Sequence, residues 1–189
     1  KKIKSQNKMV KIALIIVGAV LYGVGCFATM NIVIGTITFR PAAFISCAWG
    51  ILFGPWVGGL AAAIGNTFIS DVLSGWFGIG GVGGFVGNFL MGFLPAILVR
   101  NPKKWWSISI WCAVASVACA VCIGGWQEIM NINKFVPMFI AVSACNIPIN
   151  VILTPIAVKL LLPRVQKRGL YWKEVEEDDA KASETTSKA

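Results

Sequence analysis

Residues 9–30 read MVKIALIIVGAVLYGVGCFATM, a run in which Lys11 is the only charged side chain. At 1.5 Å per residue a helix of this length spans about 33 Å, enough to cross a hydrocarbon core of about 30 Å. The run is too long for the apolar region of a signal peptide and shows no convincing cleavage motif, so it is expected to stay as a first membrane helix.

The same pattern repeats along the chain. Residues 41–53 form a second apolar segment, short for a span and broken at Gly54-Pro55. A third runs from 56 to about 73 and is crowded with small side chains. Residues 74–84 (SGWFGIGGVGG) hold too many glycines for a regular helix and are expected to form an outer loop. Apolar segments follow at 85–99, 105–123 and 135–162, separated by 100–104 (RNPKK) and by a polar loop at 124–134. The expected fold is all-α, an integral membrane bundle of six transmembrane helices. Its bounds are a basic lead-in at 1–8, the helical domain at 9–163, and a basic, then acidic, disordered tail at 164–189.

Of the 189 residues 57% are hydrophobic and only 13% charged, about half the roughly 25% usual in soluble domains. Mean hydropathy is +0.75. Between Ile12 and Val99 the only charged side chains are Arg40 and Asp71. The net charge of +9 sits at Lys1, Lys2, Lys4, Lys8 and Lys11, at Arg100, Lys103 and Lys104, and at Arg164, Lys167, Arg168 and Lys173. With six spans these positions share one side, and the other side holds Arg40 and Lys134. Positive charge is retained on the cytoplasmic face, which predicts an N-in, C-in, multi-pass protein of a bacterial or archaeal cell membrane. Nucleic acid is not the expected partner, because no basic stripe lies along a folded surface.

Polar side chains at membrane depth are costly and therefore informative. Asn66, Thr67, Ser70 and Asp71 gather at the outer end of the third helix, and Arg40 at that of the second. An Arg40–Asp71 pair either locks helices together or faces a pocket. Asn88 follows the glycine-rich stretch. Ser143, Asn146 and Asn150 share one face of the sixth helix by their spacing. Nearby Pro148 and Pro155 free the carbonyls of Ala144 and Val151. That row suits a pocket for a neutral, heteroatom-rich ligand, or interhelical bonds with no ligand. Trp76 and Trp126 either anchor at the outer interface or stack on a planar heterocycle beside Gln127 and Glu128. Small residues recur four apart, at Ala19 and Gly23 in the first helix and at Gly58/Ala62 and Gly59/Ala63 in the third. They serve packing within the bundle or, in the first helix, docking of a partner protein.

The six cysteines all fall in apolar segments, and Cys119-x-x-Cys122 lacks a second pair, so small buried residues are expected rather than a metal site. There is no histidine, hence no usual general base, and no P-loop signature. Neither a cofactor nor a metal nor enzymatic activity is expected.

Four blocks resemble the S-components of energy-coupling factor (ECF) vitamin transporters, in the group labelled riboflavin- or hydroxymethylpyrimidine-type. They are ITFRPAAFI (37–45), GILFGPWVGG (50–59), GNTFISDVLSG (65–75) and GNFLMG (87–92). Thr38 stands where the family's S-[IL]-R-P block has serine, and Ala19-x-x-x-Gly23 stands for its A-x-x-x-A docking motif. The resemblance implies a high-affinity vitamin-binding subunit with an outward pocket, roofed by the loop after the first helix and formed by the fourth to sixth helices with their outer loops. It also implies a membrane coupling subunit and two ATPase subunits as partners. The expected substrate-binding residues are Arg40, Asn66, Asp71, Trp76, Asn88, Trp126, Gln127, Glu128, Asn146 and Asn150, with Ala19 and Gly23 in partner docking. Competing expectations are a stand-alone carrier or channel, which predicts a polar stripe through the whole membrane, and a membrane enzyme, which predicts paired acids or a metal cluster.

Overall fold

A computed structural model describes residues 8–30, 32–34 and 37–177. The lead-in at 1–7 and the tail beyond 177 lie outside the described residues. Helix α1 spans Lys8–Ala28. A short antiparallel hairpin follows, β1 (Val33–Ile34) with β2 (Ile37–Thr38), in the register Val33↔Thr38. A 3₁₀ turn, Pro41–Ala43, opens helix α2 at Phe44–Phe53. Helix α3 is Pro55–Ile64 and continues as a π-helical stretch, Gly65–Asp71. Helices α4 (Phe77–Leu98), α5 (Trp105–Ile129) and α6 (Phe135–Lys167) complete the bundle.

Four helices, Lys8–Ala28, Phe77–Leu98, Trp105–Ile129 and the stretch Phe135–Glu177, are long and apolar enough to cross a membrane, and Pro41–Phe53 is a shorter apolar helix. Their outer faces carry bare apolar side chains: Ile16 is 57% exposed, Val82 57%, Ile140 57% and Leu160 63%. Soluble monomers rarely expose apolar patches beyond a few hundred Å², so this belt requires apolar surroundings.

The chain reverses sharply between α2 and α3 because Gly54 adopts φ 111°, open to glycine, and Pro55 starts the next helix with its φ already set. Nearby, α2, α3 and α4 cross with backbones touching. A Cβ on Gly50 would strike the Gly92 carbonyl, one on Gly58 the backbone of Gly50, and one on Gly92 the Gly58 carbonyl. This contact supplies the close packing that lipid cannot drive.

The small stripe of α1 also faces inward. Ala19 is 3% exposed, and a Cβ on Gly23 would meet the Gly65 carbonyl and Ile69. Gly65 in turn lies against the Ala19 backbone. Ala19 and Gly23, expected in partner docking, both lie in this contact between α1 and the stretch that continues α3.

Three helical bounds differ from the sequence reading. Helix α4 begins at Phe77 rather than 85, taking in most of the glycine-rich stretch with a break at Gly81 (φ 44°, ψ −144°). Helix α5 runs on to Ile129, so Gln127 and Glu128 are helical rather than in a loop. Helix α6 passes Pro163 to Lys167. Beyond it Tyr171 is buried, the Trp172 indole N–H donates to the Ile51 carbonyl at 3.1 Å, and Lys173 Nζ donates to the Val99 carbonyl at 2.8 Å. The segment therefore caps the open carbonyl ends of α2 and α4. It lies with Lys11 and the Gly54 turn at one end of the bundle, here the basic end. The β1–β2 hairpin, Asp71 and the start of α6 mark the opposite, hairpin end.

Candidate functional site

At the hairpin end the helices enclose a cavity of about 410 Å³, within the 300–1,000 Å³ typical of small-molecule pockets. Seven of the expected residues line it: Arg40, Asn66, Asp71, Trp76, Asn88, Gln127 and Asn146.

The π turn builds its charged wall. In an α-helix residues five apart diverge by about 140°, whereas an i→i+5 turn stacks them. Asn66 and Asp71 therefore point the same way, and Asn66 Nδ2 donates to Asp71 Oδ2 at 2.9 Å. Arg40 Nη1 donates to Asn66 Oδ1 at 3.0 Å. Arg40 and Asp71 are thus joined through the Asn66 amide, and all three face the cavity. Both Asn66 and Asp71 are 3% exposed. The side chain of Asp71 fits beneath α4 because Gly80 carries no Cβ: one there would clash with Asp71 Oδ2, whereas at Gly84 it would stand at ordinary contact, 3.7 Å away.

Other walls are uncharged. Tyr22 donates from its hydroxyl to Asn88 Oδ1, whose Nδ2 donates to the Gly84 carbonyl at 2.8 Å. Asn88 is therefore held by two structural bonds. Asn133 Nδ2 donates to Gln127 Oε1 at 2.7 Å, pairing two amides at the cavity rim. Ile79, Ile123, Met138 and Val142 provide apolar lining.

Three expected residues lie elsewhere. Trp126 packs against Gly81 and Gly83, behind the break in α4. Glu128 points outward and is exposed. Asn150 is fully buried below the cavity, donating to Ser116 Oγ at 2.8 Å. The carbonyl freed by Pro155 at Val151 accepts from Ser109 Oγ at 2.8 Å. The α6 row thus divides: Asn146 faces the cavity, and Asn150 and Val151 join α6 to α5. Tyr22 and Met138 line the cavity without having been expected there. Tyr22 sits on α1 one position before Gly23, so the inward stripe carries it to the site. Met138 begins the α6 face that reaches Asn146 by helical spacing.

The six cysteines form no disulfide among the described residues, and five of them are buried. Among the described residues no group of three or more His, Cys, Asp or Glu side chains is placed to hold a metal ion.

The sequence pattern of DUF8171, a family of unknown function, matches residues 11–154. Among curated proteins, a UPF0397 protein of Vibrio atlanticus is 34% identical over 88 residues, 42% of this chain and 48% of that protein. UPF0397 proteins of Aliivibrio fischeri (strain MJ11) and Aliivibrio salmonicida are each 34% identical over 86 residues, 41% of this chain and 46% of theirs. The chain spans about half the length of these curated relatives. No solved structure matches it. The family pattern runs from α1 into α6, across every helix that lines the cavity, and the chain belongs to this family of unknown function, DUF8171.

Proposed function

We propose that the chain is the membrane-embedded, vitamin-binding subunit, or S-component, of an ECF-type importer. It sits in the plasma membrane with both ends cytoplasmic, captures a small water-soluble vitamin or precursor at the hairpin end, and delivers it with a coupling subunit and two ATPase subunits. It performs no chemistry itself. The observation that carries this reading is the cavity. A pocket of ligand size, walled by a bridged Arg–Asn–Asp chain and by amides from other helices, opens at one end of a bundle with an apolar belt. The sequence blocks shared with S-components fall on α2, α3 and α4, which surround it. With Ala19 and Gly23 buried, a coupling subunit would meet the apolar outer faces instead.

The test is equilibrium titration of the detergent-solubilised protein, read by tryptophan fluorescence, with riboflavin, thiamine, hydroxymethylpyrimidine, cobalamin, folate and pantothenate. One of them is expected to bind below micromolar concentration, and Asn146→Ala to weaken it. Absence of binding by all six would refute the proposal. A stand-alone carrier is the second reading, favoured by the buried polar groups Asn150, Ser116 and Thr154, which lie deeper than the cavity along α5 and α6. Uptake into liposomes containing this chain alone would decide for it.

A further inference from the structure

Resting on the binding role proposed above, we infer that the cavity selects an uncharged ligand bearing a hydrogen-bond acceptor beside a donor on one edge, as in a carboxamide, a lactam or an aminopyrimidine, and discriminates against a carboxylate of the same shape.

Among the described lining residues the charged side chains are Arg40 and Asp71, one of each sign. The Asn66 amide accepts from Arg40 and donates to Asp71, so both charges stand at the same patch of wall. Arginine carries five N–H donors, and a carboxylate has several lone-pair sites. After Asn66 is served, the patch still offers cationic donors next to an anionic acceptor. A ligand edge with an acceptor toward Arg40 and a donor toward Asp71 makes two charge-assisted bonds, the strong kind. It also leaves the site electrically balanced.

A carboxylate satisfies Arg40 but faces Asp71 with like charge and has no proton to give it. It also brings a net negative charge against a largely buried patch of wall, where an unbalanced ion is penalised. The second polar wall adds no compensation. With Asn133 Nδ2 given to Gln127 Oε1, what remains is Gln127 Nε2 as donor and Asn133 Oδ1 as acceptor, again one of each and uncharged. Both polar walls therefore suit a neutral ligand whose donors and acceptors alternate.

The test uses matched pairs in which a carboxamide stands in place of a carboxylate: nicotinamide and nicotinate, biotinamide and biotin, the primary amide of pantothenate and pantothenate, with riboflavin and hydroxymethylpyrimidine as neutral references. Each is titrated into the full-length protein in detergent by tryptophan fluorescence and by calorimetry. The neutral member is expected to bind at least about tenfold tighter, equivalent to about 1.4 kcal/mol, in every pair in which either binds, and one of the neutral references to bind tightest of all. A carboxylate that binds as tightly as its neutral twin, or tighter than every neutral compound, overturns the inference while leaving the vitamin-binding role standing. Failure of every compound overturns both.

Asp71→Asn supplies a second, independent readout, because it leaves the Arg40 charge uncompensated. The preference within a pair is then expected to shift toward the carboxylate by about tenfold or more, following the sign of the wall. An unchanged ratio in a folded variant overturns the inference. The wild-type comparison decides it if that variant does not fold.

Discussion

Replacing Asn66 by leucine would remove the amide that joins Arg40 to Asp71 and put an apolar group of similar size in its place. Two hydrogen bonds to charged groups are lost, each worth about 1.5–3 kcal/mol. Their fates differ. Arg40 is half-buried and faces the cavity, so water replaces the lost acceptor at little net loss. Asp71 also faces the cavity but is 3% exposed and packed beneath Gly80, so fewer waters reach it and its lost donor is replaced less completely. The predicted destabilisation is therefore the Asp71 half alone, about 1.5–3 kcal/mol. For a chain of this size it corresponds to a melting temperature lower by roughly 3–12 °C. The five buried cysteines, none in a disulfide, make the assay direct: a thiol-reactive fluorophore reports their exposure as the detergent-solubilised protein is heated. Repeating the substitution in an Asp71→Asn background should roughly halve the loss, because the charge that needed the donor is gone. A melting temperature for Asn66→Leu within about 1 °C of the parent, with a normal elution profile, would refute the bridge and the selectivity built on it.

Gly92→Val is predicted to be poorly tolerated, because its side chain would enter the Gly58 backbone; overpacking of this kind costs typically 1–3 kcal/mol and more where backbone must move. Gly125→Ala, on the same assay, should be neutral or stabilising by about 0.5–1 kcal/mol, since that helical position has nothing within 4 Å of a Cβ. Lys173 is predicted to give the basic end a pH dependence, because burial lowers its pKa below the ordinary lysine value. The folded state then binds fewer protons than the unfolded one between the lowered and the ordinary pKa. Stability in that alkaline window should rise with pH relative to Lys173→Met, and parallel melting curves for the two proteins across it would contradict the assignment.

The apolar rods and most of the cavity's polar residues were legible in the sequence, because isolated polar side chains in apolar runs have few places to go. Arg40 and Asp71 stood out as the only charges in a long apolar stretch. What joins them was not legible: the pairing depends on a π turn at Gly65–Asp71, and helical periodicity assumes 3.6 residues per turn. The α4 start was misplaced for a related reason. Glycine propensity argues against helix at 77–84, yet packing of Trp126 and Asp71 against Gly81, Gly83 and Gly80 rewards their small size, and tertiary contact overrides propensity. The inward turn of Ala19 and Gly23 was undecidable from spacing, since the same stripe serves an internal or an external neighbour. Docking of Trp172 and Lys173 onto α2 and α4 depends on contacts across more than seventy residues of chain, which no local pattern records.

The touching backbones at Gly50, Gly58 and Gly92 act as a fulcrum. They pin α2, α3 and α4 near the basic end, while the cavity opens farther along the same rods. From Gly92 to Gly84 on the cavity wall is eight residues, about 12 Å of lever arm. A tilt of about 5° at the pin therefore displaces that wall by about 1 Å, comparable to the difference between a made and a missed hydrogen bond. Gly50, Gly58 and Gly92 do not line the cavity, so a substitution that shifts this contact by that much is expected to alter affinity, read by ligand titration, without touching a lining residue.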